Sequence, residues 1–298
     1  MKILRLIRVD MQKALCGAGF HACVLLTALL CLTAQISFDP AAQTGCSVLQ
    51  AILHLSPAEM LQSTDYCWYH AIECGTEGWL PLFLPLLAAF PFVPLSCDER
   101  ESRAIRLSCI RLNRRAYSAG SLLSAMLAGG LAVMTGFLLF AAAALLIFPQ
   151  ASAYSAELRS SYEWCFPTIF PFFPVLGYPY LLLLRAVSCF LYGAAAAAPA
   201  FLLTGLLKNP YLTVTIPFFL RYLLTELYGK LYLKVYQDVM HPNTALETFL
   251  DVTHPNALRD LFTLGEYKWA ALLYAGILMT AGGICWLVLT DRRVDYGE

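Results

Sequence analysis

Residues 79–97, WLPLFLPLLAAFPFVPLSC, run directly into residues 98–120, DERESRAIRLSCIRLNRRAYSAG. The first stretch carries no charge. The second carries nine of the forty charged residues in the chain, six of them arginine. An apolar helix needs roughly 20 residues to cross a hydrocarbon core of ~30 Å. Arginines massed just beyond such a helix mark the cytosolic side. The step from Cys97 to Asp98 therefore reads as a membrane surface, and the fold follows from it.

Five further apolar runs have span length, at about 15–36, 117–147, 180–206, 211–229 and 269–290. Over all 298 residues, mean hydropathy is +0.63 and only 13% of residues are charged. Soluble domains carry about 25%. The expected fold class is all-α: a polytopic membrane protein of six transmembrane helices, a single transmembrane domain over residues 1–298, both termini cytosolic. With both ends inside, thirteen of the twenty Lys and Arg fall in inner segments and five in outer loops, while the first outer loop, 37–78, holds none. The implied location is the cell membrane, with the chain in contact with lipid.

Within the runs, prolines 81, 85, 91 and 94 should kink the second span. Ser124, Ala128, Ala132 and Gly136 recur every fourth residue in the third, a surface on which another helix backbone can approach closely. Ala194–Ala198 followed by Pro199 reads the same way. These surfaces could pack within one subunit or between two. At the N-terminus, residues 1–14 place Ile3, Leu4, Ile7, Met11 and Ala14 on one helical face and Lys2, Arg5, Arg8 and Gln12 on the other, as in a helix lying in the membrane interface. The competing reading is the basic start of a signal peptide, against which stand the length of the following apolar run and the presence of Asp10.

The outer loops differ. Residues 149–178 are rich in aromatics and proline and should lie in the interfacial belt. Residues 230–268 repeat a short motif, His241-Pro242-Asn243 and His254-Pro255-Asn256, each expected to open a short helix. Loop 37–78 holds Cys46, Cys67 and Cys74. These, with Cys165, are expected outside, where disulfides form, so a bridge among the four is expected, with the pairing open. Cys67, His70 and Cys74 also have ligand-like spacing, but a structural zinc site needs a fourth ligand, and no metal or other cofactor is assigned.

Several function classes are excluded. Net charge is zero, so no basic field attracts nucleic acid. No phosphate-binding G-x-x-x-x-G-K-[ST] is present, so the chain is not its own ATPase. No H-E-x-x-H or G-x-S-x-G supports intramembrane hydrolysis, and no catalytic residue is assigned. What stands out instead is charge inside the spans. Arg185, Arg221 and Glu226 fall within apolar runs, where charges are costly and face a partner or a wet cavity. Spans four and five are joined by the tight turn at Lys208-Asn209-Pro210, so an Arg185–Glu226 pair is expected, with Arg221 facing a cavity that could line a substrate path.

In the segment after the second span, Arg100, Arg103 and Arg106 fall on one side of a helix and Ile105, Cys109 and Leu112 on the other. Glu99 precedes Arg103 by four residues, the favourable order for a pair. This suits a helix lying against the membrane, its charged side offered to a partner.

The interfacial helix, the six spans and the sequence Phe92-Val93-Pro94-Leu95-Ser96-Cys97-Asp98-Glu99-Arg100-Glu101-Ser102, followed by Arg114-Arg115-Ala116-Tyr117, together resemble the permease subunits of type-2 ABC exporters. Lys208-Asn209-Pro210-Tyr211 with Pro217-Phe218 is a second match. Arg103 departs from the pattern, standing where such permeases tend to have Gly. The resemblance implies a transport subunit and not an enzyme, working with a separate cytosolic ABC ATPase and a second permease copy or paralogue. It also implies that the link 98–116 receives the ATPase's motion, with Asp98, Glu99, Arg100, Glu101, Arg103 and Arg106 as docking residues. The alternatives are a membrane-embedded enzyme of protease type and a membrane scaffold or immunity protein without transport. The substrate is not readable.

Overall fold

The computed structural model describes residues 2–39, 44–102, 114–150, 177–207, 209–237, 244–261 and 267–293. In chain order these form helices α1 (Lys2–Cys16) and α2 (Ala18–Leu32), strands β1 (Gln35–Asp39) and β2 (Thr44–Ser47), and short helices α3 (Val48–His54) and α4 (Pro57–Met60). A 3-10 turn (Thr64–Tyr66) and α5 (Trp68–Cys74) follow. The long elements are α6 (Leu80–Ala89) with α7 (Val93–Glu101), α8 (Arg114–Ile147), α9 (Gly177–Thr204), α10 (Pro210–Gln237) and α12 (Lys268–Arg293), with the shorter α11 (Thr244–Thr253) between the last two.

Among the described residues, three stretches are long and apolar enough to cross a membrane: Leu80–Glu101, Arg115–Ile147 and Leu182–Thr204. The bent pair Ile3–Cys16 and Ala18–Leu32 makes up to four if it counts as one span. The molecule is thus a mostly helical membrane protein. The expected fifth run lies inside α10, which spans 28 residues and carries Arg221 near its middle and Glu226, Lys230 and Lys234 in its C-terminal half. The sixth lies inside α12, whose apolar part is the shorter stretch Lys268–Ile284.

Local chemistry explains the breaks. The amphipathic N-terminal helix is α1, and it meets the uniformly apolar α2 at 63° beside Gly17. The second span breaks between Ala89 and Val93, at Pro91, while Pro85 lies inside α6 and Pro94 opens α7. Proline removes a helical donor and clashes one turn back, so kinks gather there.

The chain gathers into two compact units. The first comprises Met1–Cys23, Leu82–Met134 and Ser188–Glu298. Its core joins Ala14 of α1, Ala89 of α6, Phe92, Val93 and Cys97 of and before α7, Ala125 and Ala128 of α8, Ala200 and Phe201 of α9 and Val214 of α10. The helices approach closely through small residues. A Cβ built on Gly129 would stand 2.5 Å from the Ala88 carbonyl oxygen, and one on Gly193 would stand 2.9 Å from that of Gly129. Lipid chains are as apolar as leucine, so such packing, rather than escape from water, holds helices together in a bilayer. Ser124, Ala128 and Ala132 are fully buried, so this part of the small-residue stripe packs within the subunit.

The second unit comprises Val24–Pro81 and Thr135–Val187. Here the segment expected as a loop holds a small antiparallel hairpin, with Ser37 opposite Cys46 and an irregularity between Gln35 and Ser37. This is a departure from an all-helical chain. The short helices begin at capping boxes, in which Ser47 pairs with Gln50 and Ser56 with Glu59. Each box satisfies two orphan amide donors, which lets helices of one or two turns form. The second unit buries Val48, Ala51, Trp68, Tyr69 and Ile72 together with Phe137 and Phe140 of α8. Its remaining stripe residue, Gly136, lies so close to α2 that a Cβ there would meet Thr27 Cβ at 2.5 Å.

Candidate functional site

The segment after the second span was expected to be a docking link, and the structure describes its root. α7 continues through Asp98, Glu99, Arg100 and Glu101 and ends there. Asp98 and Glu101 are exposed, while Glu99 and Arg100 are half-buried. Lys13 Nζ of α1 donates to Glu99 Oε1 at 2.5 Å. The Tyr117 hydroxyl, in the first turn of α8, donates to Glu99 Oε2 at 3.4 Å. Glu99 thereby joins α1, α7 and α8. Arg103 and Arg106 lie outside the described residues, as do Ile105, Cys109 and Leu112.

α1 packs inward through Met11 and Ala14, both on its expected apolar face. Leu4, on the same face, is 70% exposed. Arg5 and Arg8 are exposed as expected. Asp10, assigned to neither face, is 4% exposed, and its Oδ2 has no hydrogen-bond partner. Lys13 lies within the field of both Asp10 and Glu99, which gives the buried carboxylate a nearby cation.

Arg185, expected to pair with Glu226, donates from Nη2 to Glu73 Oε1 at 3.2 Å within the second unit, and both side chains are only 15% exposed. Glu73 lies in α5, inside the stretch 37–78 expected as an outer loop. Glu226 is exposed. Burial pushes the Glu73 carboxyl above the usual carboxylate range, and the nearby Arg185 opposes this without cancelling it.

The cysteines are also corrected. Cys46, Cys67 and Cys74 are free thiols, so no bridge joins any two of them. Cys165 lies outside the described residues. Burial pushes the Cys74 thiol up to about 12 and raises those of Cys67 and Cys46. Such thiols are packing groups, since the thiolate is the reactive form. His70 Nε2 meets the Ile36 carbonyl oxygen at 3.2 Å and Cys74 Sγ at 3.4 Å. Among the described residues, no group of three or more His, Cys, Asp or Glu is placed to hold a metal ion.

Arg221 is the centre of a polar cluster in the first unit. Its Nη2 donates to the Tyr192 hydroxyl, to Asn256 Oδ1 at 2.6 Å and to the Pro255 carbonyl oxygen at 3.1 Å. The guanidinium carbon lies 5.0 Å from the Tyr192 ring centroid, a cation–π distance. The Tyr192 hydroxyl donates to Asn256 Oδ1 at 2.7 Å. Two and three turns further along α10, Tyr228 bonds Thr253 at 2.9 Å and Tyr232 bonds Asp251 at 2.6 Å. Residues 221, 228 and 232 share one helical face, so α10 is fastened by a polar seam to α11 and to the turn after it. The same alignment leaves Glu226 on another face.

The first His-Pro-Asn copy precedes α11, while the second is a hydrogen-bonded turn and not a helix. That turn brings the Pro255 carbonyl and the Asn256 side-chain oxygen to the middle of α9, where Arg221 donates to both and Tyr192 to the second. Non-helical backbone among spans is tolerated under that condition. His254, whose ring packs edge-on to Tyr228 at 5.3 Å, is held below its ordinary value by burial, then by Arg221 and Arg259. Sequence reasoning singled out Arg221 and the repeated motif but did not connect them. The signal available was the helical spacing of Arg221, Tyr228 and Tyr232.

A scan against protein-family models, a search of characterised proteins and a search of solved structures each return no match to this chain.

Proposed function

We propose that the chain is the membrane permease subunit of an ATP-driven exporter of the type-2 ABC class. α10 and α12 complete six spans, both termini are cytosolic, and a separate ATPase docks at the link 98–116. Energy enters through that link and reaches the spans as motion. The observation that carries the reading is Glu99. A single carboxylate at the mouth of the basic link is bonded to the amphipathic α1 and to the first turn of α8. A push on the link would therefore be felt at once by three elements. The basic side chains concentrated in inner segments support the orientation. The cell membrane is the proposed location.

The test is co-purification of a cytosolic ABC ATPase with this chain. Wild type should retain it, and the double charge reversal Glu99→Arg, Arg103→Glu should lose it while the permease still reaches the membrane. Undiminished association of the ATPase with the double variant would remove the docking role.

A further inference from the structure

Glu73 and Arg185 form a buried pair that the exporter reading does not use. Glu73 Oε1 receives one bond, from Arg185 at 3.2 Å, longer than the ~2.7–2.9 Å usual between opposite charges. Glu73 Oε2 is buried and has no hydrogen-bond partner. An ionised carboxylate offers about four acceptor sites and is costly to bury with most of them empty. The residue also lies in the last turn of α5, the end at which a helix disfavours negative charge. The titratable side chains around it, among those described, are Arg185 from α9, His70, Cys74 and Glu77 from α5 and the turn after it, and Asp65 from the 3-10 turn packed on α5.

We propose that Glu73 is a proton-binding site, in which the orphaned Oε2 carries the proton and Oε1 keeps its bond to Arg185. The ligand is a single proton from solvent. Protonation turns a strained acceptor into a neutral acid, removes the cost of the empty acceptor sites and leaves one net positive charge, on Arg185. The sign of the linkage follows. Burial outweighs Arg185, so the folded state holds this proton more tightly than the unfolded chain does. The stabilising contribution is fully present below the unfolded carboxyl value and is lost as pH rises through the folded one. An ordinary salt bridge would do the opposite.

The experiment compares melting of the purified full chain with that of Glu73→Gln between about pH 5 and pH 8. Glutamine keeps an acceptor for Arg185 and mimics the protonated acid. The variant should melt at or above wild type at the alkaline end, and the two should converge as pH falls. Wild type should also show an infrared carbonyl band of a protonated carboxylic acid that persists above the pH at which free carboxyls ionise and that the variant lacks. A variant that melts below wild type at the alkaline end, with the gap closing on acidification, would mean a structural salt bridge and overturn the proposal. Should the variant fail to fold, a wild-type spectrum with no such band persisting above the pH at which free carboxyls ionise would overturn it equally.

Discussion

Two ion pairs in this molecule look alike on paper and behave differently. Lys13–Glu99 is short, at 2.5 Å, with side chains 50% and 27% exposed. Glu73–Arg185 is longer, at 3.2 Å, with both side chains 15% exposed. The shorter pair is the weaker determinant of stability, because water and salt screen it and its long side chains give up rotamer freedom to hold it. The longer pair has little water to fall back on, so removing its cation is expensive even though the intact pair adds little. Distance ranks the two in one order and burial in the other, and burial decides.

The largest effect is therefore expected at Arg185. Arg185→Leu leaves Glu73 buried without its cation and should lower stability by about 3 kcal/mol at pH values above the one at which Glu73 gives up its proton. Acid should restore part of that loss, because Glu73 can then take a proton, and chemical denaturation at two pH values would check both points. A loss that acid leaves unrestored would show that Glu73 is not where the cost lies. A smaller effect is expected at the polar seam. Tyr192→Phe removes one hydroxyl that both accepts from Arg221 and donates to Asn256, and should cost about 2 kcal/mol in thermal melting. The smallest effect is expected at Lys13. Lys13→Gln should change stability by less than about 0.5 kcal/mol and less still at high salt. A large, salt-insensitive loss there would mean that the Glu99 junction is far drier than its exposure indicates and would erase the contrast between the pairs.

What could be read from the chain beforehand follows a physical divide. Features set by neighbours in sequence were legible. The amphipathic α1, the proline-broken second span and the small-residue face of α8 depend on helical period and backbone sterics, and each is present. Features set by distant partners were not. Glu73 was taken for a solvated loop residue because nothing within a few residues shows that α5 packs under Arg185. The hairpin at Gln35–Ser47 went unread: β1, Gln-Ile-Ser-Phe-Asp, alternates over only five residues, and β2, Thr-Gly-Cys-Ser, offers no matching apolar run. Cysteine count suggested bridges, but a bridge is a statement about the distance between remote residues, and the three described thiols remain apart. The burial of Asp10 went unread for a related reason: the cation near it, Lys13, is bonded to Glu99, some ninety positions along the chain.

The 63° break beside Gly17 has a mechanical consequence. A continuous helix carries thrust along its axis, so pushing one end moves the other. A jointed one does not, and α1 can tip about Gly17 without driving α2 lengthwise. Whatever displaces α1 must then be passed on sideways, through its side chains. Of these, Lys13 lies one turn from the joint, with a short moment arm, and it is the residue that grips Glu99. Ile3 and Leu6 pack against Gly120 of α8, so a tilt of α1 would be felt both there and, through Lys13, at the start of the link.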